Sequence, residues 1–459
     1  MHLLKYTHGW TRRHFLEQVA KGIVAAGVLA PLIDVIANHG EITKAYPDEL
    51  LSIEAYTRGR LKAGDTLSAE NVDLVKELLD PGTYFEIKED QRIARLRETT
   101  TDVYKLNPKP YLDATFRNKG HAMFDRNGIV VTRDGKPWIG GNPFPDAKTA
   151  QELAAAASMS WGRWDTTFYP VGHHLTDAEG NLVYYYEFIW TEVQTTGRVA
   201  VEPIPNIPGQ TDKLRYVANF VLSPTDFHGT NILQVWQYDA RQFPLFYVFL
   251  PQFHRTRTFP STQRFEPIVP GSNLFFTDTW FVGDPYATWG NFKLVAKGPI
   301  LAAVANNWNG ELPNWEGPRC GGKKGNKYYV VDYELVPEAL VFEMDPVKYP
   351  RAPYSKKRIY SDARTGQPTN MIAYDRAGKP WKAWEQTYGV YEKNGHRVPA
   401  TGPYPYWSWQ QAHMLDLQSG VAGSFTHLPS LGAGWPDHFN DPKAMDFCTV
   451  EALARYGEA

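Results

Sequence analysis

The chain of 459 residues carries only two cysteines, Cys320 and Cys448, which is too few for a disulfide scaffold. Sequence alone leaves open whether these two meet in space. Charge of one sign is also missing. The formal net charge is −2, which provides no basic field for nucleic acid or anionic lipid. No GxSxG elbow, CxxC pair, HExxH helix or GxGxxG loop occurs, so the common signatures of hydrolases, redox dithiols, zinc proteases and dinucleotide binding are absent. The apolar run at residues 22–33 (GIVAAGVLAPLI) is bounded by Lys21 and Asp34 and broken by Pro31. It falls short of the roughly 20 apolar residues of a membrane-spanning helix.

That short run has another meaning. It follows Thr11-Arg12-Arg13-His14-Phe15-Leu16-Glu17, which looks like a twin-arginine export signal with Arg12 and Arg13 as its pair. Such a signal is read by the twin-arginine translocase and carries a folded chain across the bacterial inner membrane. Val35-Ile36-Ala37 offers small residues for cleavage before Asn38, and Thr43-Lys44-Ala45 is a second site. No cysteine precedes Cys320, so a lipoprotein anchor is not expected. The sequence therefore predicts a signal segment, residues 1–37, and a single β-rich domain, residues 38–459, soluble in the periplasm after cleavage.

Aromatic residues are abundant: 15 Trp, 26 Tyr and 23 Phe. Aromatics favour strands and bring large apolar faces. Helices are predicted over 68–79, capped by Ser68 and stopped by Asp80-Pro81-Gly82, and over 147–161, where Ala-rich sequence has high propensity. Strands are predicted over 184–190, 215–222, 232–238, 245–250, 274–281, 292–297, 328–335, 341–344, 357–360, 371–374 and 381–391. Turn chemistry at 125–128, 178–181 and 375–378 marks hairpins. Strands following strands with short links predict an antiparallel meander and not a βαβ layout. Residues 245–250 (LFYVFL) are apolar on both faces, so both sides of that strand must be covered. The motif Arg133-Asp134-Gly135-Lys136-Pro137-Trp138 recurs at 376–381 with one change, but its flanks do not match, so a turn solution used twice explains it.

Candidate chemistry is sparse. His173 and His174 are adjacent, and neighbours on a strand point to opposite faces, which prevents them from sharing an ion. Asp226 and His228 share a face, and His254 would complete a two-His, one-carboxylate metal set, although nothing in the spacing brings it there. Residues 317–323 (GPRCGGK) match the core of a phosphate loop, but Lys324 follows where Ser or Thr belongs, and the flanks lack a strand-to-helix context. A Gly-rich loop leading into a strand is the better reading. No cofactor and no catalytic residue are predicted. The aromatic segment 236–289 exceeds what a core requires. Trp236, Phe246, Phe249, Phe275, Trp280 and Trp289 are its candidates for lining an apolar cavity.

Taken together, residues 67–79 (LSAENVDLVKELL), Gly141-Asn142-Pro143-Phe144-Pro145, the segment 254–260 with Arg255 and Arg257, residues 284–296 (DPYATWGNFKLVA), the strands of 354–391 and the hairpin at 416–420 resemble the DUF1329 family. That family is related to the lipoprotein carriers LolA and LolB. His254 and the threonines at 256 and 258 dilute the family's arginine cluster. The resemblance implies a mainly β protein with a few helices: a highly curved antiparallel half-barrel wrapped around helices, with an apolar cavity. It also implies traffic of a lipid or other hydrophobic molecule in the cell envelope, beside an RND-type transporter and an outer-membrane protein. The expectation is a non-catalytic periplasmic carrier or chaperone, with Arg255 and Arg257 at the cavity rim. The alternative is a twin-arginine-exported enzyme, a hydrolase or metal-dependent oxidoreductase acting on a hydrophobic substrate.

Overall fold

Sixteen strands hydrogen-bond into one sheet. The computed structural model describes residues 46–308, 310–391, 406–432 and 434–458, so Arg12, Arg13 and both cleavage sites lie outside the described residues. In chain order the strands are β1 (Thr66–Leu67), β2 (Ala94–Arg97), β3 (Thr166–Thr176), β4 (Leu182–Gln194), β5 (Lys213–Ser223), β6 (Asn231–Gln237), β7 (Leu245–Leu250) and β8 (Arg255–Phe259). They continue as β9 (Gly290–Ala302), β10 (Val331–Asp345), β11 (Tyr354–Asp362), β12 (Gln367–Asp375), β13 (Pro380–Tyr391), β14 (Tyr406–Asp416), β15 (Ala422–His427) and β16 (His438–Phe439). Neighbours run β1-β2-β10-β11-β12-β13-β14-β15-β3-β4-β5-β6-β7-β8, with β9 on β10 and β16 on β3. The path ends at β1 and β8 without closing. This is the expected antiparallel meander in two halves, joined where β15 pairs with β3. One ladder departs from it: β2 lies parallel to β10, Ala94 opposite Val331.

The hairpins form because one aspartate chemistry recurs at their ends. Asp177 Oδ1 accepts from the amides of Glu179 (2.9 Å) and Asn181 (2.8 Å), and Gly180 takes the left-handed position. Asp375 accepts from the Lys379 amide at 2.8 Å with Gly378 at φ 77°. Asp416 accepts from the Gln418 and Ser419 amides, both at 2.9 Å, ahead of Gly420. Such Asx turns fold the strands back at no cost in strand pairing.

The two faces of the sheet differ. Apolar residues of one face, contributed by β3 to β7 and by β10 to β15, merge into a single cluster. Those of the other face split into three separate clusters. A face that curls inward brings its side chains together and the opposite face spreads them, so the merged cluster marks the inside of a curved half-barrel. The inner face holds residues 103–144, the helix Ala150–Met159 and residues 260–289. The outer face is covered by residues 66–96, by residues 300–330 and by the C-terminal segment beyond residue 428. Strand β7 confirms the two-sided reading of 245–250: Phe246 and Val248 enter the inner cluster, and Phe249 enters an outer one.

Among the described residues four α-helices of six or more residues accompany the sheet, α1 (Pro81–Lys88), α2 (Lys109–Arg117), α3 (Ala150–Met159) and α4 (Val450–Arg455), with two shorter ones at Asp48–Leu51 and Ile53–Thr57. Thr149 and Glu152 close a capping box on α3. Its alanines are buried nearly all round, because methyl groups let the sheet approach closely. The helix expected over 68–79 is instead a 3₁₀ turn, Val72–Leu78, kinked at Val75. Its buried residues Val72, Val75 and Leu78 recur every third residue, the 3₁₀ period. Asp80-Pro81-Gly82 starts α1 and does not stop a helix: Asp80 accepts from the Gly82 amide at 2.8 Å, and Pro81 opens the first turn. A Cβ on Gly82 would sit 2.4 Å from Ala383 of β13, so only glycine allows α1 to dock this close. Beneath α1, Arg92 pairs with Glu86 at 2.7 Å and with Glu385, His413 meets Glu86 at 2.8 Å, and Tyr333 donates to Glu385, all buried. The strand expected over 274–281 is absent. Strand β3 at the centre of the sheet was not predicted, because Pro170 and Gly172 interrupt its pattern.

Cys320 and Cys448 are free and buried in different outer clusters, and burial raises both thiol pKa values. Native protein is therefore expected to resist maleimide, and protein unfolded without reductant to take two equivalents. A disulfide-linked chain in intact-mass analysis would contradict the fold.

Candidate functional site

After β8 the chain crosses the inner face of the sheet before it enters β9, and this crossing segment builds the site. Its internal frame is the buried pair Arg264–Asp284, with Nε to Oδ1 at 2.6 Å. Arg264 also donates to Gln234 at 2.8 Å and to the Gly283 carbonyl at 2.6 Å. Thr277 (2.5 Å) and Trp289 (3.1 Å) donate to the second Asp284 oxygen. Burial alone would raise the Asp284 pKa, but the Arg264 and Lys357 charges beside it hold it below the ordinary carboxylate value. At its turn, Trp280 and Phe281 take φ 50° and 69° in succession. Two bulky residues in the left-handed region cost about 1–3 kcal/mol each, and that conformation is why the expected strand cannot form here.

Two lysines of the sheet hold the crossing segment. Lys357 of β11 donates to the carbonyls of Thr277 and Phe281, the latter at 3.2 Å, and pairs with Asp278 at 3.2 Å. Tyr354 donates to the other Asp278 oxygen at 2.8 Å. Lys382 of β13 donates to the Asn273 carbonyl at 2.5 Å and lies over the Phe275 ring at 3.1 Å. Burial lowers both lysine pKa values, that of Lys382 to about 8.

Beside this anchor is a cavity of about 50 Å³ lined by residues that include Phe188, Trp190, Trp280, Trp384, Trp409 and Phe425. That space admits a water molecule or two and not an acyl chain. The indole of Trp280 forms part of the cavity wall. Its Nε1 donates to Glu192 Oε1 at 2.9 Å, and Trp190 Nε1 donates to the same oxygen at 2.7 Å. Burial raises the Glu192 pKa, against the pull of Arg215 and of these two indoles. A second, open cleft of about 660 Å³ is polar, lined by Arg97, Thr99, Asp102 and Asp332 among others, and Arg97 pairs there with Asp332 at 2.9 Å.

Of the aromatics expected to line a cavity, Trp280 does so. Trp236 packs edge-on against Trp161 at 4.7 Å with the Arg215 guanidinium 4.9 Å from its centre. Phe246 meets Phe276 at 5.1 Å, Phe275 meets Tyr354 at 5.9 Å, and Trp289 binds Asp284. These four belong to the inner face without lining the cavity. Phe249 lies on the outer face against the C-terminal segment, because it stands three positions from Phe246 on a strand and so points the other way. Arg255 and Arg257 are exposed on the edge strand β8, Arg257 over Phe253 at 4.9 Å. Asp226 and His228 are exposed, and His254 sits left-handed after a turn, 3.9 Å from Glu458. Among the described residues no three of His, Cys, Asp and Glu are grouped to hold a metal ion. His173 and His174 part as expected: His173 stacks on Phe425 at 4.0 Å, and His174 meets Arg319 at 2.8 Å. Burial lowers both imidazole pKa values to about 3. The 317–323 loop turns between Arg319–Cys320 and Tyr328–Tyr329 as a hairpin.

Sequence reasoning missed Lys357 and Lys382. The available signal was a lysine two residues ahead of a large apolar residue of the inner face: Lys357 precedes Ile359, and Lys382 precedes Trp384. It also missed Ser408, His427 and Asp437, which meet from three separate segments. His427 Nε2 lies 2.8 Å from Asp437, and Nδ1 lies 3.4 Å from Ser408 Oγ and 3.1 Å from the Trp409 carbonyl. Ser408 is 1% and His427 0% exposed, so the hydroxyl has no opening to a substrate. The set is a buried staple and not a nucleophilic triad.

The family described as "Protein of unknown function (DUF1329)" matches residues 66–453 of the chain. Among curated proteins none matches it. Similar solved structures include a proposed outer membrane lipoprotein-sorting protein domain from Vibrio parahaemolyticus, 14% identical, with 67% of this chain and 99% of that one covered and a TM-score of 0.43. A DUF1329 family protein from Desulfovibrio piger is 12% identical, with 66% of this chain and 97% of that one covered and a TM-score of 0.43. A LolA superfamily protein from Nitrosomonas europaea is 12% identical, with 62% and 96% covered and a TM-score of 0.34.

The buried lysine makes stability depend on pH. Lys382 has its pKa lowered to about 8 by burial, against the pull of Asp278 and Asp416 and with the push of Lys357. Above that value the folded chain has lost a proton that the unfolded chain keeps up to about pH 10.4. Stability therefore rises with pH across this window, by about 3 kcal/mol from this group. Lys382→Met is expected to remove the rise and to add about 1–4 kcal/mol at neutral pH. Urea midpoints measured from pH 7 to 10.5 check it; an unchanged slope in the variant would falsify the assignment.

Proposed function

The chain belongs to the DUF1329 family, and on that premise we propose that it is a non-catalytic carrier or chaperone for a lipid or other hydrophobic molecule, held on the inner face of its curved sheet. The observation that carries the reading is the way this face is filled. Val171 of β3 and aromatic residues from β4, β13, β14 and β15 form one wall, and a segment without regular strand pairing, turned through two left-handed aromatic residues, packs into it. A core built only for stability is closed by a regular element. Here a strained segment occupies a groove whose wall can hold an apolar chain, at about 0.8 kcal/mol per buried CH₂ group.

The reading includes the envelope. We place the mature protein in the periplasm after twin-arginine export, as a shuttle beside an RND-type transporter and an outer-membrane protein. The motif at Arg12 and Arg13 supports the address. Among the described residues no helix is long and apolar enough to cross a membrane. The enzyme alternative draws no support from Ser408, which is buried with its partner imidazole, or from Asp226 and His228, which are exposed.

Protein purified without detergent is expected to show adducts of defined mass in native mass spectrometry, lost on organic extraction. Trp280→Ala, which enlarges the cavity, is expected to take up a fluorescent fatty-acid probe severalfold better than the parent. Absence of adducts, together with no probe uptake by either protein, would overturn the carrier reading.

A further inference from the structure

Lys357, Ala373 and Lys382 lie in one cross-strand row: Lys357 is opposite Ala373, and Ala373 is opposite Lys382. All three face inward. The alanine places only a methyl group between two lysines that are 0% and 2% exposed. A buried cation requires a counter-charge. The crossing segment supplies one carboxylate, Asp278, and places it on Lys357. To Lys382 it offers only the Asn273 carbonyl and the Phe275 ring. Asp284 is engaged by Arg264, and Asp416 accepts from Trp381 at 2.9 Å. With Arg215 and Glu192 counted, the inner wall holds Arg215, Arg264, Lys357 and Lys382 against Glu192, Asp278 and Asp284, one anion short.

Every hydrogen bond and ion pair that the crossing segment makes to the two lysines comes from residues 273–281, and Trp289 adds a ring 4.9 Å from the Lys357 ammonium. With that stretch lifted, both ammonium groups face the groove. Lys382, Trp384 and Gln386 follow one another on the same face of β13, so the cationic row continues directly into the aromatic wall. Gln386 is 1% exposed, and among the described residues its side-chain amide has no hydrogen-bond partner. The wall therefore carries polar capacity that the crossing segment does not use.

We propose that Lys357 and Lys382 form the head-group seat for an anionic amphiphile, a carboxylate or phosphate head on a long apolar tail, and that Asp278 is an internal substitute for that head. The inference rests on the carrier reading and specifies its ligand class. The tail lies along Phe188, Trp384 and Phe425, where Trp280 now sits. Tyr354, which donates to Asp278, donates to the ligand head in its place. Release of the left-handed Trp280–Phe281 turn favours the exchange.

The test uses the full chain with cis-parinaric acid and its methyl ester, read by energy transfer from tryptophan. The acid is expected to bind at least about tenfold tighter than the ester, the scale of a charge-assisted contact. Lys382→Met, which keeps the fold as shown by its thermal unfolding, is expected to bring the acid down to the level of the ester and to leave the ester unchanged. Asp278→Asn, which removes the competing carboxylate, is expected to tighten the acid more than the ester. Equal binding of acid and ester, indifferent to Lys382→Met, overturns the head-group seat and leaves the carrier reading standing. No binding of either probe defeats the carrier reading itself. Displacement of the acid by millimolar acetate or inorganic phosphate alone identifies a small-anion site and overturns the amphiphile.

Discussion

A sheet that curls inward without closing must have its inner face filled, and the rest of this structure follows from that requirement. The side chains of β3 to β7 and β10 to β15 converge there but do not meet across the groove. Three inserts complete the packing, the first being the stretch from Val103 to Phe144. Helix α3 is regular, capped and rich in alanine, and it fits because small residues let it approach. Residues 260–289 are irregular and are held by side-chain contacts from the sheet. The same curvature spreads the outer face into three patches, each with its own cover of chain.

Charge is handled differently on the two sides. Under α1, Arg92 is met by Glu86 and Glu385, and those carboxylates are met in turn by His413 and Tyr333. Each charge there has an opposite charge within hydrogen-bond reach, as burial demands. On the inner face the balance fails at Lys382, which has a carbonyl and a ring where a carboxylate would be expected. The first arrangement fixes a helix to a sheet. The second is a debt that the fold carries on the face where a ligand would lie.

Much of this architecture was legible in the sequence. Aspartate-glycine turns gave the hairpins, alternation gave most strands, and the doubly apolar run at 245–250 gave a strand covered on both sides. The failures have physical reasons. Asp80-Pro81-Gly82 is ambiguous, since an aspartate followed by proline caps a helix start as well as it follows a helix end. Strand β3 hides behind Pro170 and Gly172, which a central strand tolerates only because the Pro170 carbonyl still accepts, from the Leu428 amide at 2.9 Å. The stretch 274–281 alternates like a strand, but its aromatic residues satisfy themselves against the sheet face and not through a ladder. The site was legible in kind and not in place: aromatic surplus pointed to the right segment, and only Trp280 of the named residues reaches the cavity. Lys357 and Lys382 were passed over because a lysine in a strand reads as solvated unless its register is weighed against the apolar residue two positions on.

The hydrogen bonding of the crossing segment sets how fast the groove could change its contents. From residue 260 to residue 283 the backbone–backbone bonds described stay within the segment: Ile268 to Leu274, Phe276 to Glu266, Thr277 to Arg264, Gly283 to Thr277. None belongs to a ladder of the main sheet. The segment is thus a preassembled cassette seated by side chains, and lifting it unzips no strand and unfolds no helix. Gating loops and lids of that kind move on the microsecond-to-millisecond scale. Exchange at the inner face is then a question of unseating one body, with the sixteen-stranded frame as a spectator.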